Sequence, residues 1–97
     1  MNKKTLHLLR QSPFTHNDIE LCCENLTMND SIVLMDDACY ALNHQLLSKL
    51  FLNCDNVYII KEHALARGLS ININTHAIDM TKLNEIIFEH LNSVTWQ

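Results

Sequence analysis

Two runs, Ile32-Val33-Leu34-Met35 and Val57-Tyr58-Ile59-Ile60, are apolar at every position. Continuous short runs of this kind predict strands that are covered on both faces. A weaker opening strand is predicted over Thr5–Leu9, stopped by Ser12-Pro13, and another over about His76–Asp79. Between the strands the period changes. Ile19, Cys22, Cys23 and Leu26 recur at i, i+3, i+4 and i+7, one face of a helix that Thr15 is placed to cap. Asp18 and Glu20 fall early in it, where they suit the helix dipole. Asn29-Asp30 then predicts a turn, because Asn tolerates the left-handed conformation.

A second helix is expected after Asp36-Asp37, with Leu42, Leu46, Leu47 and Leu50 as its buried stripe. Lys61–Arg67 predicts a short helix closed by Gly68. The last helix is expected from about Thr81 to Leu91, with Met80, Leu83, Ile86, Ile87 and Leu91 along one side and Ser93–Gln97 as a tail. Strands alternating with amphipathic helices imply an α/β fold with a parallel sheet and helices on both faces. Right-handed crossovers make a doubly wound, flavodoxin-like layout the expected one, as a single domain over residues 1–97. Ligands in such sheets lie beyond the carboxyl ends of the strands. Here those ends are Arg10–Phe14, Asp36–Cys39 and Lys61–His63.

At 97 residues the chain builds one modest core and leaves much surface for partner subunits to cover. Its net charge of −4 is unevenly spread. Lys3, Lys4 and Arg10 precede a stretch, Gln11–Ser48, with six acidic residues and no Lys or Arg. Nucleic-acid binding needs a basic face that displaces counterions, and none is present, so direct contact with RNA or DNA is not expected. The apolar segment after Lys3-Lys4 is too short for a secretory signal, and no run approaches membrane-spanning length. A cytoplasmic location is expected. There Cys22, Cys23, Cys39 and Cys54, which form no C-x-x-C pair, remain free thiols.

Those thiols are the candidate chemistry. A nucleophilic cysteine needs exposure and a lowered pKa, supplied by a cation or a helix N-terminus. Cys22 and Cys23 lie on the apolar stripe beside Glu20 and Glu24, which reads as buried packing. Cys39 follows a strand end near the start of a helix, a better position, yet Asp36 and Asp37 stand beside it. Cys54 falls in the polar stretch Asn53–Asn56. His7, His16, His44, His63, His76 and His90 are scattered without metal-ligand spacing, and Gly68 alone makes no phosphate loop. No cofactor or metal is therefore expected. Pro13, Phe14 and Trp96 are candidate interface residues, the rival reading being that the two aromatics cover the domain's own core.

The order of these pieces resembles the TusB/DsrH family of DsrE/F/H-like sulfur-relay proteins. Leu6-His7-Leu8-Leu9-Arg10-Gln11-Ser12-Pro13-Phe14 is similar to the family's L-H-x-L-x-x-S-P opening with its following aromatic. Val33-Leu34-Met35-Asp36-Asp37-Ala38 resembles its second strand, where Asp37-Ala38 replaces the usual D-G. Val57-Tyr58-Ile59, Leu65-Ala66-Arg67-Gly68-Leu69, Ile78-Asp79-Met80-Thr81 and Trp96 match later segments. The resemblance implies a subunit that assembles with TusC-like and TusD-like chains in a heterohexamer. That assembly passes persulfide sulfur through a TusE-like acceptor toward 2-thiolation of a tRNA wobble uridine. It also implies a structural role rather than an enzymatic one, since the sulfur-accepting cysteine belongs to the TusD chain. Counted without gaps from Ser12-Pro13-Phe14, Cys22 falls on the cysteine that DsrH members carry in their first helix. Two further readings therefore stay open: a DsrH-like persulfide carrier using Cys22, and a stand-alone ligand-binding or homo-oligomeric α/β domain.

Overall fold

A computed structural model describes residues 3–96. The elements run β1 (Lys3–Leu9), α1 (Asp18–Glu24), β2 (Ser31–Leu34), a 3-10 segment (Asp36–Asn43), α2 (Leu46–Asn53), β3 (Asn56–Ile60), α3 (Lys61–Ala66), β4 (His76–Ile78), α4 (Met80–Phe88) and β5 (His90–Trp96). All the strand pairs are parallel, in the order β4-β3-β2-β1-β5. The architecture is the doubly wound α/β layout that the alternating pattern predicts.

The direction of winding divides the helices between the faces. From β1 to β4 each connection steps the same way across the sheet, so right-handed crossovers put α1, the 3-10 segment, α2 and α3 on one face. The connection from β4 to β5 returns across the sheet, so α4 lies on the other. Two buried clusters follow. Leu9, Ile32, Leu34, Val57 and Ile59 pack with Ile19, Cys22, Leu47, Leu50 and Ala64. Leu6, Val33, Ile60 and Ile78 pack with Leu83 and Ile86 of α4. Burying a side chain such as Leu50 contributes about 1.5–3 kcal/mol.

The turns obey local chemistry. Asn29 adopts φ 74° and Gly68 φ 68°, and the Gly68 N–H closes α3 on the Leu65 carbonyl at 3.0 Å. Asp79 caps α4 by accepting from the Lys82 N–H at 2.8 Å.

Four expectations need correction. Residues 93–96 of the expected tail are strand: β5 runs His90–Trp96, and α4 ends at Phe88 rather than Leu91. Gln97 lies outside the described residues. Leu91 is spaced like the stripe of α4, but its side chain is mostly exposed in the strand that follows. The second helix splits into the 3-10 segment and α2, with His44 extended at φ −115°, ψ 147°. Helix α1 starts at Asp18, because Thr15 and His16 donate their N–H groups to the Ser12 carbonyl in a preceding turn. Where Asp37-Ala38 stands in place of D-G, the backbone of Ala38 is not left-handed. The left-handed residue is Asp36, at φ 50°, one of the few residue types that tolerate that region.

Candidate functional site

At the carboxyl end of the sheet, β1 delivers Arg10 and β2 delivers Asp36 to a cleft of about 250 Å³ lined by Arg10, Gln11, Asp36, Asp37 and Arg67. Arg10 Nε donates to Asp36 Oδ2 at 2.8 Å, and Arg67 Nε donates to Asp37 Oδ1 at 3.0 Å. Arg67 also donates from Nη1 to the His63 carbonyl at 3.1 Å. The Asp36 N–H donates to His63 Nδ1 at 2.9 Å, so that nitrogen carries no proton here. This contact locks the left-handed turn at Asp36 to α3. The cleft thus holds two cations and two anions neutralised pairwise, with no thiol or hydroxyl among the lining residues. Partly exposed pairs of this kind contribute only about 0.2–1 kcal/mol each.

The thiols lie elsewhere, inside the core. Cys22 and Cys39 are 0% exposed, Cys23 6% and Cys54 7%. Burial pushes the thiols of Cys22 and Cys39 up to about 12. At Cys39 the Arg67 cation pulls the other way, but burial outweighs it, with Asp36 and Asp37 adding to the rise. Its Sγ–H points at the Leu34 carbonyl, 3.7 Å away. Cys23 is raised mainly by burial, with Lys49 opposing and Glu20 and Glu24 reinforcing. Cys54 is raised by burial to about 11, and its Sγ lies 3.4 Å from the Asp30 carbonyl and 3.3 Å from that of Asn56. Its polar neighbours in sequence gave no hint of this burial.

Pro13 and Phe14 follow the carboxyl end of β1, and Trp96 closes the carboxyl end of β5. Phe14 is exposed and meets His44 edge-on, with ring centroids 4.7 Å apart. Pro13 and Trp96 are half-buried, and Trp96 packs on the helix-rich core and pairs with Leu9 in register.

A buried polar constellation escaped the sequence reading. His7 is almost fully buried, and Trp96 Nε1–H donates to its Nδ1 at 3.1 Å. The neutral ring must then carry its proton on Nε2, which donates to Asp30 Oδ2 at 3.0 Å. Asp30 also accepts from the N–H groups of Thr5 and Thr27. A second buried histidine, His90, contacts the Ile86 carbonyl through Nδ1 at 2.7 Å and Ser31 Oγ through Nε2 at 2.8 Å. A carbonyl only accepts, so Nδ1 holds a proton, and Nε2 shares its hydrogen bond with the Ser31 hydroxyl. The partners in these networks are far apart in the chain, so no spacing rule exposes them. Among the described residues, no three His, Cys, Asp or Glu side chains converge in a way that could hold a metal ion, and no helix is long and apolar enough to cross a membrane.

A profile of the family described as DsrH like protein matches residues 11–93. Protein TusB of Buchnera aphidicola subsp. Baizongia pistaciae (strain Bp) is 28% identical over 94 residues, covering 94% of this chain and 99% of that protein. The crystal structure of the ychN protein from E. coli superposes with a TM-score of 0.77 at 16% identity, over 97% of this chain and 99% of that one. The solution NMR structure of Protein Tm0979 from Thermotoga maritima gives a TM-score of 0.64 at 21% identity, over 87% and 91%. At those identities the two structures speak to the fold alone.

Proposed function

The chain belongs to the DsrH-like family, and from that premise we propose that it is a non-catalytic subunit of a sulfur-relay assembly of the Tus type. In this reading it joins TusC-like and TusD-like chains in a cytoplasmic heterohexamer. The complex passes persulfide sulfur to a TusE-like acceptor and on to the wobble uridine of tRNA. This chain supplies shape and contact surface, while a companion carries the sulfur.

The observation that supports a scaffold over a carrier is the burial of all four thiols. Sulfur relay requires a thiolate that attacks the terminal sulfur of a donor persulfide, releasing the donor's thiolate as leaving group. Such a thiolate must be reachable and stable near neutral pH. Cys22, the position matching the DsrH cysteine, is closed off on the buried face of α1 with its thiol at about 12. Cys39 is equally buried. A carrier role for either requires α1 or the 3-10 segment to move off the core first.

Tagged chain expressed with TusC- and TusD-like proteins tests the reading. Co-purification at a fixed ratio is expected. The purified chain, incubated with a cysteine desulfurase and cysteine, is then weighed intact. No added sulfur mass is expected on this polypeptide, whereas the TusD-like chain gains it. An adduct here that disappears in Cys22→Ser overturns the scaffold reading in favour of a carrier. Failure to co-purify removes the subunit reading altogether.

A further inference from the structure

The sheet has two borders of very different character. β4 has three residues, whereas β5 has seven and no strand on its outer side among the described residues. An open border presents unpaired N–H and C=O groups, and proteins blunt such borders with Lys, Pro, bulges or short length. β5 uses none of these: His90-Leu91-Asn92-Ser93-Val94-Thr95-Trp96 contains no Lys, Arg, Asp, Glu or Pro. Apolar side chains flank it. Phe88 is 88% exposed, Leu91 72% and Val94 43%.

Nor is this border a frayed end. His90 ties its start to Ser31 of β2 and to the Ile86 carbonyl of α4, and Trp96 ties its finish to His7 of β1. Both anchors are made by the strand's own terminal residues, so the segment between them is held straight against β1. A strand fixed in this way loses little further freedom when another strand joins it.

We propose that β5 pairs with the β5 of a second copy of this chain, the two strands running antiparallel about a twofold axis. The charge pattern selects that occupant. The protein carries a net charge of −4, which opposes association of two copies through most surfaces. β5 is a strip without formal charge, and Glu89 just before it is already paired with Lys3 at 3.1 Å. In a twofold pairing the same strand faces itself, so like charges would meet directly were any present. Centred on Ser93, the pairing sets Val94 against Asn92 and Leu91 against Thr95, with no charged pair. A strongly basic or acidic partner strand gains nothing from a neutral border. The inference is independent of any role in sulfur handling.

Sedimentation velocity over a concentration series tests it with the whole chain. A reversible monomer–dimer equilibrium is expected. Leu91→Lys with Val94→Lys should weaken it by at least about tenfold, because lysines on an edge strand block pairing. Leu52→Lys with Leu65→Lys, an equally charged change at two other exposed leucines, should leave it intact. Amide exchange across β5 in the unaltered protein should slow as concentration rises, a readout that needs no variant. A chain that stays monomeric throughout overturns the proposal. So does a dimer insensitive to the β5 lysines, or one that forms without protecting β5 amides.

Discussion

Trp96 donates its indole N–H to Nδ1 of His7 at 3.1 Å, so the last residue of the edge strand is held by a neutral, buried histidine in the strand beside it. Through Nε2 the same ring reaches Asp30, which in turn accepts from the backbones of Thr5 and Thr27. A line of hydrogen bonds thus crosses from the sheet's border to the turn ahead of β2.

Trp96→Phe keeps an aromatic ring but deletes the donor, leaving His7 Nδ1 without its partner. A loss of about 1–2 kcal/mol is expected, read from the urea midpoint at unchanged slope. Equal midpoints for variant and parent would mean that the indole bond holds nothing in place.

The carboxylate of Asp30 gives a pH dependence with a definite sign. Burial pushes its pKa up, but hydrogen bonds from His7, Thr27 and Thr5 outweigh that and hold it below 3.8. A depressed folded pKa contributes stability that is fully present above the unfolded value and drains away as pH falls through the folded one. Asp30→Asn should therefore be less stable than the parent near neutral pH, with the gap narrowing below pH 3.8. Chemical denaturation at several pH values measures the gap. A gap of constant size down to strongly acid pH would contradict the assignment.

The thiols should resist modification while the fold is intact. With Cys22 and Cys39 at about 12, native alkylation at those positions should run at least about a hundredfold slower than in guanidinium, because only the thiolate reacts. Cys23, whose upward shift Lys49 opposes, is expected to react first. Peptide mapping after timed labelling gives the order. Rapid native labelling of Cys22 would revive its candidacy as a carrier.

Gly68 isolates a backbone effect. A Cβ added there meets no heavy atom within 4 Å, so Gly68→Ala costs only the left-handed φ of 68°, about 1–2 kcal/mol. Gly68→Asn should cost less, since Asn visits that region more readily. Thermal or urea unfolding of the two variants ranks them, and an alanine variant as stable as the parent would show that the turn relaxes.

The sequence was legible where burial on both faces leaves a continuous signal. Ile32–Leu34 and Val57–Ile60 are strands because every side chain must meet either the helix-rich face or α4. The stripe Ile19, Cys22 and Cys23 is buried as its spacing predicts. β5 was illegible for the opposite reason. Most of its side chains are exposed on both faces, so no alternation survives, and Leu91 falls by accident on the period of α4. The strand-end loops that position Arg10 and Asp36 could be located from Pro13 and Asp36-Asp37. Their pairing with each other and with Arg67 could not, because it depends on sheet order. Burial of Cys54 was hidden by Asn53, Asp55 and Asn56, whose polarity says nothing about where the thiol points.

Because β1 lies between β2 and β5, the opening strand is enclosed only when residues up to 89 positions further along reach it. Joining such distant segments carries a loop-closure cost that local contacts escape, so it belongs among the slow steps of folding. Until then β1 is itself a naked margin, with Leu6 and Leu9 beside unpaired amides. During synthesis that hazard lasts until β5 has emerged and docked.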